Sequence, residues 1–391
     1  MNKIGIITLV GDNYGNKYQN YAVESLFSQY GQVVTYGLED LYRSPESAKA
    51  PLSSKIRPSY FKKVLQSRLC YRYDLKNTYR SILYNQLYAK RHRSELLELQ
   101  RVRSMCFAEF SNKFLHIHDE KRNRLNTTES WSNQFAFFVC GSDQIWNPTY
   151  KTTSELAFCS FAPEKTICMS PSFGVSKIPD YRKKEYAEYL KNIFSLSVRE
   201  EAGRKIIKDL TDRDAPVLLD PTMLIPVEKW NDICEQPKEK LPEHYIACYF
   251  LGFIEADYKR KIDAIAQKLH LPVVMLFDIT APNYYTFDPS EVLYTIKHAD
   301  YVLTDSFHGS VFSILFHRNF YVFERNEGGF SMSSRLETLL EKFGLTDRLY
   351  QNQTPEMILR GKWDSVEEIL ACERNKAKGY IAHAVHALNE S

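Results

Sequence analysis

Short β-branched or aromatic runs alternate along the chain with longer stretches in which apolar residues recur at helical spacing. The runs at 3–10, 32–38, 135–140, 166–170, 193–198 and 215–219, then at 244–250, 271–277, 300–304 and 319–324, read as strands. Between them the segments 18–30, 181–192, 199–210, 256–270, 289–299 and 308–317 carry the period of helices. Strands that are apolar on both faces and separated by helices belong to parallel sheets, whose crossovers lie on both faces. The fold class expected is α/β.

The segment Glu235-Gln-Pro-Lys-Glu-Lys-Leu-Pro-Glu243 is polar, carries two prolines and divides the alternation into two series. It is the best linker in the chain. One Rossmann-like domain is therefore expected over 1–235 and another over 243–391, with a cleft between them where the carboxyl ends of the two sheets face each other. The last stretch, 364–390, reads as a terminal helix, which in two-domain enzymes of this shape often crosses back to the first domain. Residues 55–124 break the alternation: they are dense in Lys, Arg and Tyr and lack glycine, and they read as a helical insertion in the first domain. Within it Leu75, Tyr79, Ile82, Leu83 and Leu87 share one helical face, with Lys76, Arg80, Lys90, Arg91 and Arg93 off it or at its end.

Composition narrows the class. With 391 residues, 44% hydrophobic and 14% aromatic, the chain buries a sizeable core and is too apolar for disorder. A formal net charge of +3 gives no case for a nucleic-acid partner. Eight cysteines form no C-x-x-C pair and sit mostly in apolar runs such as Phe137-Phe138-Val139-Cys140, which suits reduced thiols packed as small apolar groups. The opening Met-Asn-Lys-Ile-Gly-Ile-Ile-Thr-Leu-Val reads as a strand rather than a signal peptide, and no run approaches the roughly 18 apolar residues of a membrane span. A cytoplasmic protein is expected.

Four turns carry candidate chemistry. The strand ending at Thr304 empties into Asp305-Ser306-Phe307-His308-Gly309-Ser310 and then a helix, so backbone N–H groups and the positive end of a helix dipole meet there. An anion suits that place. His308 adds a proton donor, since its ordinary pKa near 6.5 lets it carry a proton near neutrality; the structural alternative is a helix capped by Ser306 with His308 merely packed. A second buried strand empties into Gly141-Ser142-Asp143-Gln144-Ile145-Trp146-Asn147. There Asp143 and Gln144 suit vicinal hydroxyls and Trp146 a sugar face, against the alternative of a tight turn with Trp146 in the core. The third turn, Asp12-Asn13-Tyr14-Gly15-Asn16-Lys17, allows close backbone approach at Gly15 and a charge from Lys17, but has neither the Rossmann nor the P-loop glycine pattern. The fourth is Ser197-Val198-Arg199-Glu200, whose guanidinium at a strand end suits a carboxylate or phosphate. Its structural alternative is a partner for Glu200, Glu201 or Asp220. Asp220-Pro221-Thr222 reads as a structural turn. His116 and His118 beside Asp119 have the spacing of a strand face, so no metal site is expected.

Taken together, Asn13-Tyr14-Gly15-Asn16, the 141–147 turn, Ser172-Phe173-Gly174-Val175, Ser197-Val198-Arg199-Glu200, Asp220-Pro221-Thr222 and Thr304-Asp305-Ser306-Phe307-His308-Gly309-Ser310-Val311-Phe312-Ser313 resemble the polysaccharide pyruvyltransferase family. The resemblance implies a two-domain fold like that of GT-B glycosyltransferases. It also implies transfer of a pyruvyl group from phosphoenolpyruvate, as donor substrate and without a further cofactor, onto a sugar as a cyclic ketal. His308 and Arg199 are then the catalytic candidates. Ser306, Phe307, Gly309, Ser310 and Arg335 are candidates for the donor, with Arg325 competing with Arg335; Asn13, Gly15, Asn16, Ser142, Asp143, Gln144 and Trp146 are candidates for the acceptor. A nucleotide-sugar-dependent glycosyltransferase on the same fold, or a sugar- or phosphate-binding protein without turnover, are the competing readings.

The charge is unevenly spread. Residues 55–124 hold 17 Lys plus Arg against 6 Asp plus Glu, a local +11 that leaves −8 for the rest of the chain. A solvated helical face accounts for such a segment, and so does peripheral attachment to an anionic membrane carrying a lipid-linked glycan precursor.

Overall fold

The structure, a computed structural model, describes residues 2–42, 93–118, 125–150, 152–251, 254, 256–278, 282–324, 333–349 and 363–390. Its strands are β1 (Lys3–Thr8), β2 (Gln32–Gly37), β3 (Leu41–Tyr42), β4 (Leu125–Asn126), β5 (Phe137–Cys140), β6 (Thr166–Cys168), β7 (Ile246–Tyr249), β8 (Val273–Leu276), β9 (Tyr301–Thr304) and β10 (Asn319–Val322). Its α-helices are α1 (Tyr14–Phe27), α2 (Arg93–Phe114), α3 (Glu129–Ser132), α4 (Asp180–Lys191), α5 (Glu201–Thr211), α6 (Pro221–Leu224), α7 (Val227–Ile233), α8 (Ala256–Leu269), α9 (Pro282–Tyr285), α10 (Pro289–His298), α11 (Phe307–Leu315), α12 (Ser333–Lys342) and α13 (Trp363–Glu390). The described residues fall into two compact units. One takes in those of Met1–Arg72, Phe114–Ile225 and Ala371–Ser391, the other those of Tyr73–Lys113 and Pro226–Leu370.

Each unit is built on one four-stranded sheet, ordered β2-β1-β5-β6 in the first and β10-β9-β7-β8 in the second, and every strand pair is parallel. The α/β class follows from the strands themselves. Phe137 to Cys140 and Ile246 to Tyr249 are buried at every position, as a strand covered by helices on both faces must be. In the second unit Ile246, Cys248, Ile262, Ile265, Leu303 and Tyr321 form one buried cluster between the sheet and α8.

Two expected strands differ. Residues 193–198 and 215–219 contribute only single bridges, Ile167 to Ser195 and Val198 to Val217. Pro216 has no N–H to give a ladder. Ser197 also turns its hydroxyl to the backbone, donating to the Cys168 carbonyl at 2.6 Å and accepting from the Ser170 amide at 3.0 Å.

The basic insertion lies mostly outside the described residues, the Leu75 to Leu87 face included. Its described part, α2, was expected with the first domain and groups with the second unit. The Arg103 guanidinium lies 5.3 Å from the Phe277 ring and 5.0 Å from that of Tyr285, and Lys113 is ion-paired with Glu235. The terminal helix α13 behaves the opposite way: from Ala371 onward it belongs to the first unit. Arg374 donates to the Met223 and Ile225 carbonyls, Lys376 to that of Val217 and Tyr380 to that of Cys168.

The described cysteines are free thiols, and Cys140, Cys159, Cys168 and Cys248 are buried. Burial pushes the Cys159 and Cys168 thiols well above their ordinary range. No described helix is long and apolar enough to cross a membrane.

Candidate functional site

Backbone strain marks where to look. Seven described non-glycine residues have positive φ. Asp212, His270 and His317 follow α5, α8 and α11, where a left-handed residue commonly closes a helix, and Cys159 follows a short 3-10 turn at Glu155–Phe158. The other three, Asp143 (61°), Ser170 (44°) and Phe277 (65°), stand just past the carboxyl ends of β5, β6 and β8. Such conformations persist where the surroundings hold them, and the carboxyl edge of a parallel sheet is where this architecture binds ligands.

In the first unit the turn after β5 is a knot of charge. Gly141 has no room for a side chain, since a Cβ there would lie 2.8 Å from Thr8 Cβ, and the chain then swings through Asp143. Asn16, in the first turn of α1, donates to Asp143 Oδ2 at 2.6 Å. Asn13 caps that helix by accepting from the Gly15 amide at 2.8 Å. Arg199 stands 3.8 Å from Asp143 Oδ1 and makes its closest ion pair with Asp220, at 2.7 Å. Asp220 uses its other oxygen to accept from the Thr222 amide and hydroxyl, capping α6. Glu200 is buried and accepts from the Ser172 hydroxyl at 2.9 Å and the Phe173 amide at 3.1 Å.

Several sequence expectations change here. Arg199 follows its structural alternative: it is buried between Asp143 and Asp220 and donates to the Ser142 hydroxyl, so it serves protein carboxylates rather than presenting a clamp for a ligand. Ser142 is itself fully buried, bonded to the Ser170 carbonyl as well, and has no surface for a sugar. Trp146 is core. It is fully buried, stacks on Phe158 at 5.1 Å and donates to the Ala157 carbonyl at 2.9 Å, because an indole in the interior must satisfy its N–H. Gln144 is half-buried and accepts from Asn147 at 2.6 Å. The structure brings Asn16 and Asp143 into contact, with Asn13 and Gly15 at the start of the same helix. Lys17, one residue on, is buried; desolvation lowers its pKa, against the pull of Asp12 and Glu39.

In the second unit the turn after β9 is ordered by Thr304, a residue the sequence reading gave no role. Its hydroxyl donates to the Tyr249 carbonyl at 2.6 Å and accepts from the Ser306 amide at 2.9 Å, while Asp305 accepts from the Leu251 amide at 2.8 Å. The ends of β7 and β9 are thereby tied, and α11 starts at a fixed point. Ser306 caps it, accepting from the Gly309 amide at 3.3 Å, and the Ser310 amide and hydroxyl both bond the Ser306 carbonyl. The amides of Ser306, Gly309 and Ser310 are thus engaged inside the turn, which narrows the expected cradle. Phe307 and His308 begin α11, whose aligned peptide dipoles put positive charge at that end. Their rings meet edge to face at 5.4 Å, and the Arg335 guanidinium, from α12, lies over the Phe307 ring at 5.5 Å. His308 and Arg335 are both nearly buried. Arg325 lies outside the described residues.

No three described His, Cys, Asp or Glu side chains are arranged to hold a metal ion. His116 bonds Glu24 through Nδ1 at 2.9 Å, and Ile117 between the two histidines bridges to Thr35, so this stretch lies along the edge of β2.

The model of the family described as polysaccharide pyruvyl transferase matches residues 13–327. No curated protein sequence matches the chain. Among solved structures, the glycotransferase of kitacinnamycin is similar at 13% identity, over 99% of this chain and 97% of its own, with a TM-score of 0.36. The glycosyltransferase VinC in complex with DTDP is similar at 9% identity over 100% of both chains, with a TM-score of 0.42. A UDP-N-acetylglucosamine 2-epimerase, described as putative, from Listeria monocytogenes is similar at 9% identity over 96% of both chains, with a TM-score of 0.39.

Proposed function

The chain belongs to the polysaccharide pyruvyl transferase family, and from that premise we propose that it moves the pyruvyl group of phosphoenolpyruvate onto two hydroxyls of a sugar, as a cyclic ketal. The observation that carries this reading is the start of α11: a helix N-terminus, an imidazole and a guanidinium within one contact network. A phosphate and a carboxylate on adjacent carbons need those groups.

The donor phosphate takes the positive end of α11 at Phe307 and His308, and Arg335 binds the donor's second anionic group. Arg335 replaces Arg199 in that role, because Arg199 is held by Asp220. His308, protonated, gives its proton to the methylene carbon, and positive charge develops on the neighbouring carbon. One acceptor hydroxyl forms a C–O bond there, and the proton it gives up leaves with the phosphate. The bond to phosphate then breaks, with the electron pair leaving on phosphate, and a second hydroxyl closes the ketal while its proton restores His308. The acceptor is bound by the first unit, at Asn16, Asp143 and the start of α1.

Donor choice is tested by thermal stability of the full chain, since a ligand that binds only the folded state raises it by about 2.7 kcal/mol at 100 times its dissociation constant. Phosphoenolpyruvate raises the Tm and nucleotide sugars do not. Stabilisation by a nucleotide sugar alone overturns the donor assignment.

A further inference from the structure

We infer that Thr304 is a positioning residue for the proton step: its hydroxyl fixes where α11 starts, and so where His308 stands against the methylene carbon of the donor. The inference rests on the pyruvyl-transfer reading and adds to it a residue that touches no substrate. Thr304 is fully buried at the end of β9 and acts only through the helix that follows.

The place is the switch point of the second sheet. In the order β10-β9-β7-β8 the chain goes from β7 to β8 on one side and reaches β9 on the other. A parallel sheet holds ligands in the crevice between two such strands, outside their carboxyl ends. Tyr249 and Thr304 are the last pair of the ladder between β7 and β9, and the threonine side chain ties the two chains where they part. Its one hydroxyl proton goes to the Tyr249 carbonyl at 2.6 Å, and its oxygen accepts from the Ser306 amide at 2.9 Å. On the side of β10 its own carbonyl accepts from the Phe323 amide at 2.7 Å. Asp305 repeats the tie one residue on, with its amide 3.4 Å from the Tyr249 carbonyl and its carboxylate accepting from the Leu251 amide at 2.8 Å.

Ser306 is the N-cap of α11, so a bond to its amide sets the first turn of the helix. That turn also rests on Thr304 from its inner side. A Cβ at Gly309 would lie 2.3 Å from Thr304 Oγ1 and 3.1 Å from Thr304 Cβ, so the helix comes this close only because residue 309 has no side chain. His308 therefore stands between two residues that are both held against one threonine. Proton transfer needs its donor atom on a particular line, and a misplacement of about 1 Å costs on the order of 10²-fold. The pull of a helix end on a phosphate is less directional and follows α11 when the helix shifts.

The experiment follows phosphate release from phosphoenolpyruvate by the full chain with a panel of glycan acceptors, in a double-mutant cycle. Thr304→Val keeps the shape of the side chain and loses both hydroxyl bonds. Its kcat falls by about 10²-fold while the KM for phosphoenolpyruvate stays within about threefold of wild type. Thr304→Ser, which keeps the hydroxyl, holds kcat within about threefold of wild type. In a His308→Gln background, Thr304→Val lowers kcat by less than about threefold, because the group it positions is already gone. A merely structural loss lowers kcat equally in both backgrounds. Equal losses in the two backgrounds, or wild-type kcat in a folded Thr304→Val variant, overturn the assignment and leave the donor reading standing. If Thr304→Val does not fold, Thr304→Ser decides: wild-type kcat supports the role of the hydroxyl, and a fall of about tenfold or more overturns it. If the wild-type chain releases no phosphate with any acceptor, the pyruvyl-transfer reading fails and takes the assignment with it.

Discussion

At the scale of single residues, burial decides what a polar turn can offer. Trp146 stands in a polar turn that suits a sugar platform, yet its ring is in the core, stacked on Phe158 and bonded to Ala157. Removing it is therefore a stability change. Trp146→Ala lowers the unfolding free energy in denaturant by about 3–5 kcal/mol, the usual cost of deleting a large core aromatic, and Trp146→Phe restores most of it with acceptor KM unchanged. An acceptor KM raised by Trp146→Phe at full stability contradicts that placement. Arg199 was legible as one of two things, a ligand clamp or a carboxylate partner, and only the fold shows Asp220 beside it. His308 and Arg335 are 27 positions apart and no periodicity joins them; a ring contact through Phe307 does.

At the scale of elements the pattern was legible where burial is two-sided. The runs around β1, β2, β5, β7 and β9 became parallel strands because most residues in them are buried. The helices expected from 289 and 308 start behind the caps Asp288 and Ser306, whereas α1 starts at Tyr14, four residues before the expected 18, because Asn13 caps it. The runs at 193–198 and 215–219 shrank to bridges because serine hydroxyls and Pro216 disturb the ladder, which apolar periodicity does not register. The turn from β9 into α11 shows the same dependence on contact. Gly309 sits in a helix, where alanine ordinarily gains about 0.5–1 kcal/mol, but a Cβ there would lie 2.3 Å from Thr304 Oγ1, itself bonded to Tyr249 and Ser306. Gly309→Ala therefore lowers the Tm and the stabilisation by phosphoenolpyruvate. Gly379→Ala, in α13 with open space around it, raises the Tm. Equal shifts of one sign in both variants contradict this account of the turn.

At the scale of the whole molecule, the α/β class and the presence of two sheets were readable from the alternation of elements, whereas the path of the chain between units was not. The helix α2 groups with the second unit and the last residues of α13 with the first, because an arginine finds aromatic faces and a row of basic and phenolic side chains finds backbone carbonyls between Cys168 and Ile225. Neither partner is near in sequence. The family match takes in residues of both units, and the start of α11 is the place in the second unit that the proposed reaction assigns to its donor. The direct test is phosphate release from phosphoenolpyruvate with glycan acceptors, read together with the mass of the acceptor product, for the wild-type chain and for His308→Gln. The account predicts acceptor-dependent release with a pyruvate ketal on the product, and a rate lower by about 10²- to 10⁴-fold in the His308→Gln variant at unchanged Tm. Ketal formation at the wild-type rate by His308→Gln, or release that never labels an acceptor, contradicts it.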